Sequence, residues 1–243
     1  MAAGMELRVE SLAKQFGGLR VFSEVTFSLE PGGLMGVIGP NGAGKTTLIN
    51  VISGRQAPSD GHVLLDGRDV TGKPAHALSR LGVARSFQQT NIFRSVSVRE
   101  NISRAVRFGQ RGVQPGLDRL LSEFGLTERL DEQSDKLPYG LQKMLGLVMA
   151  FATRPSVLLL DEPAAGLERG ERSRIDAFVQ HVREAAGCSV LIVEHDMDLI
   201  RRLCPRVLVL DAGAVLADGA PAEVLARPDV IAAYLGDAEA EAA

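Results

Sequence analysis

The chain has 243 residues, 45% of them hydrophobic, and its 27 Lys+Arg against 30 Asp+Glu leave a formal net charge of -3. A chain of this size buries roughly 70–75% of its unfolded surface, so a real core is available, and the near-neutral balance lacks the basic excess of a nucleic-acid binder. No apolar stretch approaches the ~20 residues that span a bilayer, the start MAAGMELRVE lacks the basic-then-apolar pattern of a secretory signal, and Cys188 and Cys204 form neither a disulfide framework nor a metal-ligand spacing, so a cytosolic soluble domain with two reduced core cysteines is expected.

In chain order, residues 6–10 and 25–29 alternate with period two, as half-buried strands do. Pro31-Gly32-Gly33 breaks the chain ahead of the wholly apolar Leu34 to Ile38. A strand without polar alternation is covered on both faces, as in the parallel sheet of an α/β protein. A glycine-rich turn and a helix from Lys45 to about Ser53 follow, with further strands expected at 62–66, 83–87, 157–161, 189–193 and 206–210 and a hairpin through Asp211-Ala212-Gly213 into 214–218. The run 97–153 has no strand-like apolar segment and reads as a helical insert. Between 169 and 186, Ile175, Phe178, Val179 and Val182 fall at helical offsets. The acidic, alanine-rich end after Gly236 reads as a frayed tail. The fold class is therefore α/β, with a small antiparallel portion at the front and a helical subdomain in the middle.

Gly39-Pro40-Asn41-Gly42-Ala43-Gly44-Lys45-Thr46 fits G-x-x-x-x-G-K-[ST] at every fixed place. Glycines let the backbone curl so that N–H groups point at phosphate oxygens, Lys45 reaches the β- and γ-phosphates, and the Thr46 hydroxyl is placed to hold Mg²⁺. The helix beginning near Lys45, with Thr47 in its first turn, adds the positive end of its dipole. A chain of this length matches the pattern by accident on the order of 1% of the time. An apolar strand before the motif and a helix after it supply the confirming context.

Val157-Leu158-Leu159-Leu160 runs into Asp161-Glu162, an apolar strand ending in two acids. Asp161 is placed to hold Mg²⁺. Glu162 points elsewhere because successive side chains alternate, and can polarise an attacking water. A third strand, Val190 to Val193, ends in Glu194-His195-Asp196, which puts an imidazole at the edge where open α/β sheets bind ligands.

The ordered set resembles the ATP-binding subunits of ABC transporters, from about Leu7 to Gly236. The resemblance is carried by Phe16-Gly17-Gly18, the phosphate loop, Gln88 in Arg85-Ser86-Phe87-Gln88, Leu137-Pro138-Tyr139-Gly140-Leu141-Gln142, Asp161-Glu162-Pro163 and His195. Within that family, FGGL, DEPAAGL, EHDM and the stretch Pro228-Asp229-Val230 to Gly236 look most like the branched-chain amino acid importer group, with urea importers and the lipopolysaccharide export ATPase as close relatives.

The resemblance implies a P-loop NTPase (RecA-like) core, residues 1–87 and 154–243, and an α-helical signature subdomain, residues 88–153. It implies ATP and Mg²⁺ as ligands. Phe16 would stack on adenine, and Gly39, Asn41, Gly42, Ala43, Gly44, Lys45, Thr46 and Thr47 would hold the phosphates. Thr46, Gln88 and Asp161 would serve the metal, and Glu162, His195, Gln88 and Lys45 the cleavage. Ile92-Phe93 would help line a groove for a permease helix. Pro138, Tyr139, Gly140 and Gln142 would face the ATP of a second subunit. The family pattern there is Leu-Ser-Gly-Gly-Gln, so Pro138 and Leu141 are departures, as is Glu168 where aspartate or asparagine is expected. The implied partners are a second ATP-binding subunit, transmembrane permeases and, indirectly, a solute-binding protein, with no nucleic acid; the implied place is the inner face of the cell membrane. Competing readings are a P-loop kinase, a non-transport ABC protein and a weakly hydrolysing regulatory subunit.

Overall fold

The computed structural model describes residues 4–86, 92–109, 112–168 and 170–241. Two long strands lead, β1 (Leu7–Phe16) and β2 (Leu19–Leu29), followed by β3 (Leu34–Ile38), α1 (Lys45–Ile52), β4 (Asp60–Leu65), β5 (Arg68–Asp69), α2 (Ala75–Leu81) and β6 (Val83–Arg85). The middle is helical, with α3 (Val98–Gly109), α4 (Leu117–Glu123) and α5 (Tyr139–Ala152). Then come β7 (Val157–Asp161), α6 (Ser173–Ala186), β8 (Ser189–Val193), α7 (Met197–Leu203), β9 (Arg206–Asp211), β10 (Ala214–Gly219), α8 (Pro221–Val224) and α9 (Pro228–Glu241).

The strands form a four-stranded sheet, β2-β1-β4-β5, and a six-stranded sheet, β10-β9-β3-β8-β7-β6. The first is antiparallel. In the second, β9, β3, β8, β7 and β6 run parallel and β10 returns antiparallel along β9. This is the mixed α/β architecture expected. The sheet is covered on both faces, as the apolar strands require. Leu158 and Leu160 of β7 and Val190 and Ile192 of β8 join one core with Phe151 and Phe178 of the flanking helices. The alternate residues Val157, Leu159, Leu191 and Val193 face the other core, with Leu48 and Ile49 of α1 and the inner side of the antiparallel sheet.

Several elements exceed or escape the period-based reading. Both leading strands are longer than their clean alternation. A register shift lies between Val9 and Leu12, where Ser11 has φ 45°, and such a bulge resets the period of two. Helix α6 begins at Ser173, later than 169. Helices α2 and α7 have seven residues each, about two turns, too brief for a periodic signal. The chain end corrects the frayed-tail expectation: α9 runs on through Glu241, since alanine and glutamate are strong helix formers. Burial pushes both thiols up to about 12, in line with inert core cysteines. No helix among the described residues is long and apolar enough to cross a membrane.

Candidate active site

Three loops emerge side by side because three parallel strands end in register. Val37 of β3 pairs with Val193 of β8, and Val193 pairs with Asp161 of β7. The amide of Glu194 donates to the Val37 carbonyl (3.2 Å), and that of Glu162 to the Val193 carbonyl (2.8 Å). The phosphate loop, the Asp161-Glu162 pair and the Glu194-His195 pair are thereby brought to one sheet edge, where α/β sheets place ligands.

The phosphate loop leaves β3 through Gly39, whose φ is 152°; a Cβ there would lie 2.0 Å from the Leu210 carbonyl oxygen of β9, so only glycine lets the two strands approach. Gly44, at φ 99°, caps α1 without any side-chain bond to its first amides. Those orphan N–H groups are an anion cradle at the positive end of the helix. Lys45 is buried, and its Nζ donates to the carbonyls of Gly39 (2.7 Å) and Pro40 (2.8 Å). Thr46 is exposed in the first turn of α1, Thr47 is half-buried behind it, and Asn41 and Gly42 are exposed in the loop.

Asp161 is buried at the end of β7 and paired with Arg85 at 2.7 Å. Burial pushes the Arg85 guanidinium down from its usual value, and the Asp161 carboxylate opposes that. Glu162 adopts φ 46°, a left-handed conformation rare for a side chain of this kind. Such a residue costs about 1–3 kcal/mol unless its surroundings hold it. Here its amide is bound by Val193, and its carbonyl accepts from Lys143 Nζ at 3.0 Å. Lys143, on α5, also donates to the Ala165 carbonyl at 2.5 Å. Desolvation pushes its ammonium down, opposed by Glu194, Glu162 and Asp161.

His195 stands at the rim, its side chain 62% exposed, with Nδ1 4.0 Å from Glu162 Oε2 and 3.8 Å from Glu194 Oε2. Glu194 itself is 1% exposed. Its Oε1 accepts from the Ala164 amide (2.8 Å), and its Oε2 from the amides of His195 (3.0 Å) and Asp196 (3.3 Å). One buried carboxylate therefore pins the loop after Glu162 to the loop that carries His195. Replacing Glu194 by glutamine would turn an NH₂ toward N–H donors. A loss of about 1–3 kcal/mol of stability is expected, the range for an unsatisfied buried polar group, measured by chemical denaturation, together with slower ATP turnover.

The other expected residues are dispersed around this centre. Phe16 ends β1 and is 46% exposed, with Lys14 Nζ 4.6 Å above its ring. Pro138 is the N-cap of α5, so the helix starts where proline tolerates it, and Tyr139 is exposed beside it. Gly140 is buried against Glu171, whose Oε1 would lie 2.1 Å from a Cβ added there. Gln142 turns inward, its amide donating to the Leu137 carbonyl at 2.8 Å. Gln88 lies outside the described residues. Phe93 lines an apolar groove of about 520 Å³ with Arg85, Phe108, Lys143 and Pro163, whereas Ile92 packs into the core.

Sequence reasoning missed Arg85, Lys143 and Glu194 as parts of this site. Arg85 and Glu194 adjoin motif residues but carry no spacing signal of their own, and Lys143 lies on another element altogether.

The family model described as ABC transporter matches residues 22–165. The high-affinity branched-chain amino acid transport ATP-binding protein BraF of Pseudomonas aeruginosa is 36% identical over 250 residues, covering 96% of this chain and 98% of its own. The chain belongs to the ABC transporter ATP-binding family. LivG of Escherichia coli, a protein with the same description, is equally 36% identical over 96% of the chain. A model described as branched-chain amino acid ATP-binding cassette transporter matches 214–240 of this ATPase. Its fold is that of a solved ATP-binding cassette of an ABC transporter in the ADP conformation, at TM-score 0.85 and 28% identity over 96% of this chain and 99% of the other. A nucleotide-free cassette superposes with TM-score 0.84 at 27% identity, covering 94% and 98% of the two chains. The chain is thus a nucleotide-binding ATPase whose hydrolysis is coupled to transport.

Proposed function

We propose that this ATPase powers an importer of branched-chain amino acids, working at the inner face of the membrane as half of a dimer closed by MgATP and gripped by permease subunits. The observation that carries the chemistry is the register-matched ending of β3, β8 and β7, which sets phosphate cradle, acids and imidazole at one edge. The cargo follows from what BraF and LivG are described as transporting.

In this reading the triphosphate lies on the amides of residues 42–47, and Lys45 exchanges its two loop carbonyls for phosphate oxygens. Gly39, Asn41, Ala43 and Gly44 shape the loop, and Phe16 stacks on adenine with Lys14 behind the ring. The site fits a hard divalent cation, because the oxygens offered are the Thr46 hydroxyl and the Asp161 carboxylate, with Gln88 added by the family pattern. Mg²⁺ so held would neutralise charge on the β- and γ-phosphates. Glu162 accepts the proton of a water that attacks the γ-phosphorus in line, as the bond to the bridging oxygen breaks and ADP leaves. His195, 4.0 Å from Glu162, bonds the γ-phosphate and that same water.

A second subunit would close the open side of the γ-phosphate with the start of its α5, presenting Tyr139 and the Gly140 amide. ATP favours the closed dimer because only there does it touch both halves. Residues 88–153 would form the unit that grips the permease, through the groove beside Phe93, while 1–87 and 154–243 hold nucleotide. Pro138 has no amide hydrogen and no hydroxyl, and Leu141 replaces a glutamine, so the site completed by this chain's α5 is the weaker of two. Glu162→Gln in this chain and the matching change in a different partner ATPase should therefore lower turnover of the reconstituted complex unequally; equal losses would refute the asymmetry.

The functional reading is tested by phosphate release without an added acceptor, in the chain alone and reconstituted with permease subunits. Release to water, stimulated by the permeases, is expected. Transfer to a small-molecule acceptor, or no association with permeases, would overturn it.

A further inference from the structure

We propose that Arg85 is a positioning residue for the nucleotide site, orienting the Asp161 carboxylate for the divalent ion and tying it to the strand that leads toward the helical insert. The inference rests on the reading of Asp161 as a ligand of that ion.

Arg85 is the last residue of β6. Its guanidinium spans three elements. Nη2 donates to Asp161 Oδ2 at 2.7 Å, while Nη1 donates to Asn50 Oδ1 at 2.7 Å and to Ser53 Oγ at 2.9 Å. Asn50 lies in α1 and Ser53 caps its end, and the first turn of that helix is the phosphate cradle. The side chains of Arg85 and Asp161 are each 6% exposed, so neither charge is compensated by water. One fork thus locks β6, α1 and β7 together at the end of the strand that carries the acids.

The geometry orients the carboxylate as well as neutralising it. Arg85 binds Oδ2 alone, so the plane of the group is fixed through one oxygen while Oδ1 keeps its lone pairs for other work. A planar fork with two occupied arms cannot be reproduced by the single ammonium of lysine. The same Arg85 lines the groove of about 520 Å³ beside Phe93 and Phe108. The side chain that orients Asp161 is therefore also a wall of that groove, which the proposed function reads as the permease surface.

Loss of this support should weaken only the metal-dependent part of nucleotide binding, because the loop amides and Lys45 are untouched. The full chain carrying Arg85→Met or Arg85→Lys is titrated with a fluorescent ATP analogue in EDTA and again in Mg²⁺, and Mn²⁺ bound to the complex is followed by electron paramagnetic resonance. Affinity in EDTA should match the parent. Affinity for the metal in the ternary complex should fall by about 10- to 100-fold in both variants, the usual consequence of removing the hydrogen-bonded support of a metal ligand. Asn50→Ala, which keeps both charges and loosens only the fork, should give a smaller fall in the same direction and decides the matter if the Arg85 variants do not fold. Unchanged metal affinity, a parental Arg85→Lys, or a parallel loss in EDTA would overturn the inference. Asp161→Asn separates the two levels: if it leaves metal affinity intact, the reading of Asp161 fails, and if it abolishes it while the Arg85 and Asn50 variants do not, only the role of Arg85 fails.

Discussion

Glu162→Gln should reduce ATP turnover by about 10²–10⁴-fold, the contribution of a positioned general base, while ATP binding stays close to that of the parent. Steady-state phosphate release and equilibrium nucleotide binding on the same preparation check this. The separation of the two effects follows from where the residue sits. Glu162 is one position beyond the strand end and is held at φ 46° by Val193 and Lys143 through its backbone. Glutamine is nearly isosteric and leaves those backbone bonds in place, so the loop keeps its path. What is lost is the ability to take a proton from water. If turnover fell by only a few-fold, the base would have to be sought elsewhere at this edge, with His195, whose Nδ1 lies 4.0 Å from Glu162 Oε2, the first residue to test. A loss of binding in step with turnover would mean that Glu162 serves the loop's architecture instead.

Lys45→Ala should act earlier, on binding itself. In the structure the ammonium is buried and donates to the neutral carbonyls of Gly39 and Pro40. A triphosphate offers that charge a far better partner. A charge-assisted hydrogen bond contributes about 1.5–3 kcal/mol, so ATP affinity should drop about 10- to 100-fold, and turnover further, since in the proposed mechanism the same ammonium would stabilise charge that grows on the phosphate oxygens during cleavage. Isothermal titration with ATP, followed by phosphate release at saturating nucleotide, separates the two components. The change should also lower stability, because the two freed carbonyls belong to the buried Gly39 and Pro40 and an unsatisfied buried acceptor costs about 1–3 kcal/mol. Parental affinity in this variant would remove the loop from the nucleotide site.

How legible the molecule is from sequence depends on how local each feature is. The phosphate loop, Asp161-Glu162 and His195 are readable because each sits at the end of a short apolar strand, and the strand itself announces where the chain turns outward. Their convergence follows from the parallel register of β3, β8 and β7, which apolar runs suggest and no spacing specifies. The helical insert is readable as a region without strands. By contrast, the Arg85–Asp161 pair joins residues 76 apart in sequence, and the Glu194 carboxylate reaches the Ala164 amide across 30. Such links are set by the packing of whole elements, and a lone arginine or glutamate carries no periodic trace of them. Helix α7 is different: its N-cap, Asp196, accepts from the amides of Asp198 and Leu199, a start signal present in the sequence but too short-lived to be supported by a hydrophobic period. In the leading strands the bulge at Ser11 hides half of each strand from an alternation test.

The most direct measurement is a crystal structure of Glu162→Gln grown with MgATP. The triphosphate should lie along the amides of residues 42–47 with Lys45 on the β- and γ-phosphates, the metal between Thr46 and Asp161, and a water between the γ-phosphorus and residue 162. A nucleotide bound away from that loop, or a metal held without Asp161, would contradict the mechanism at its root.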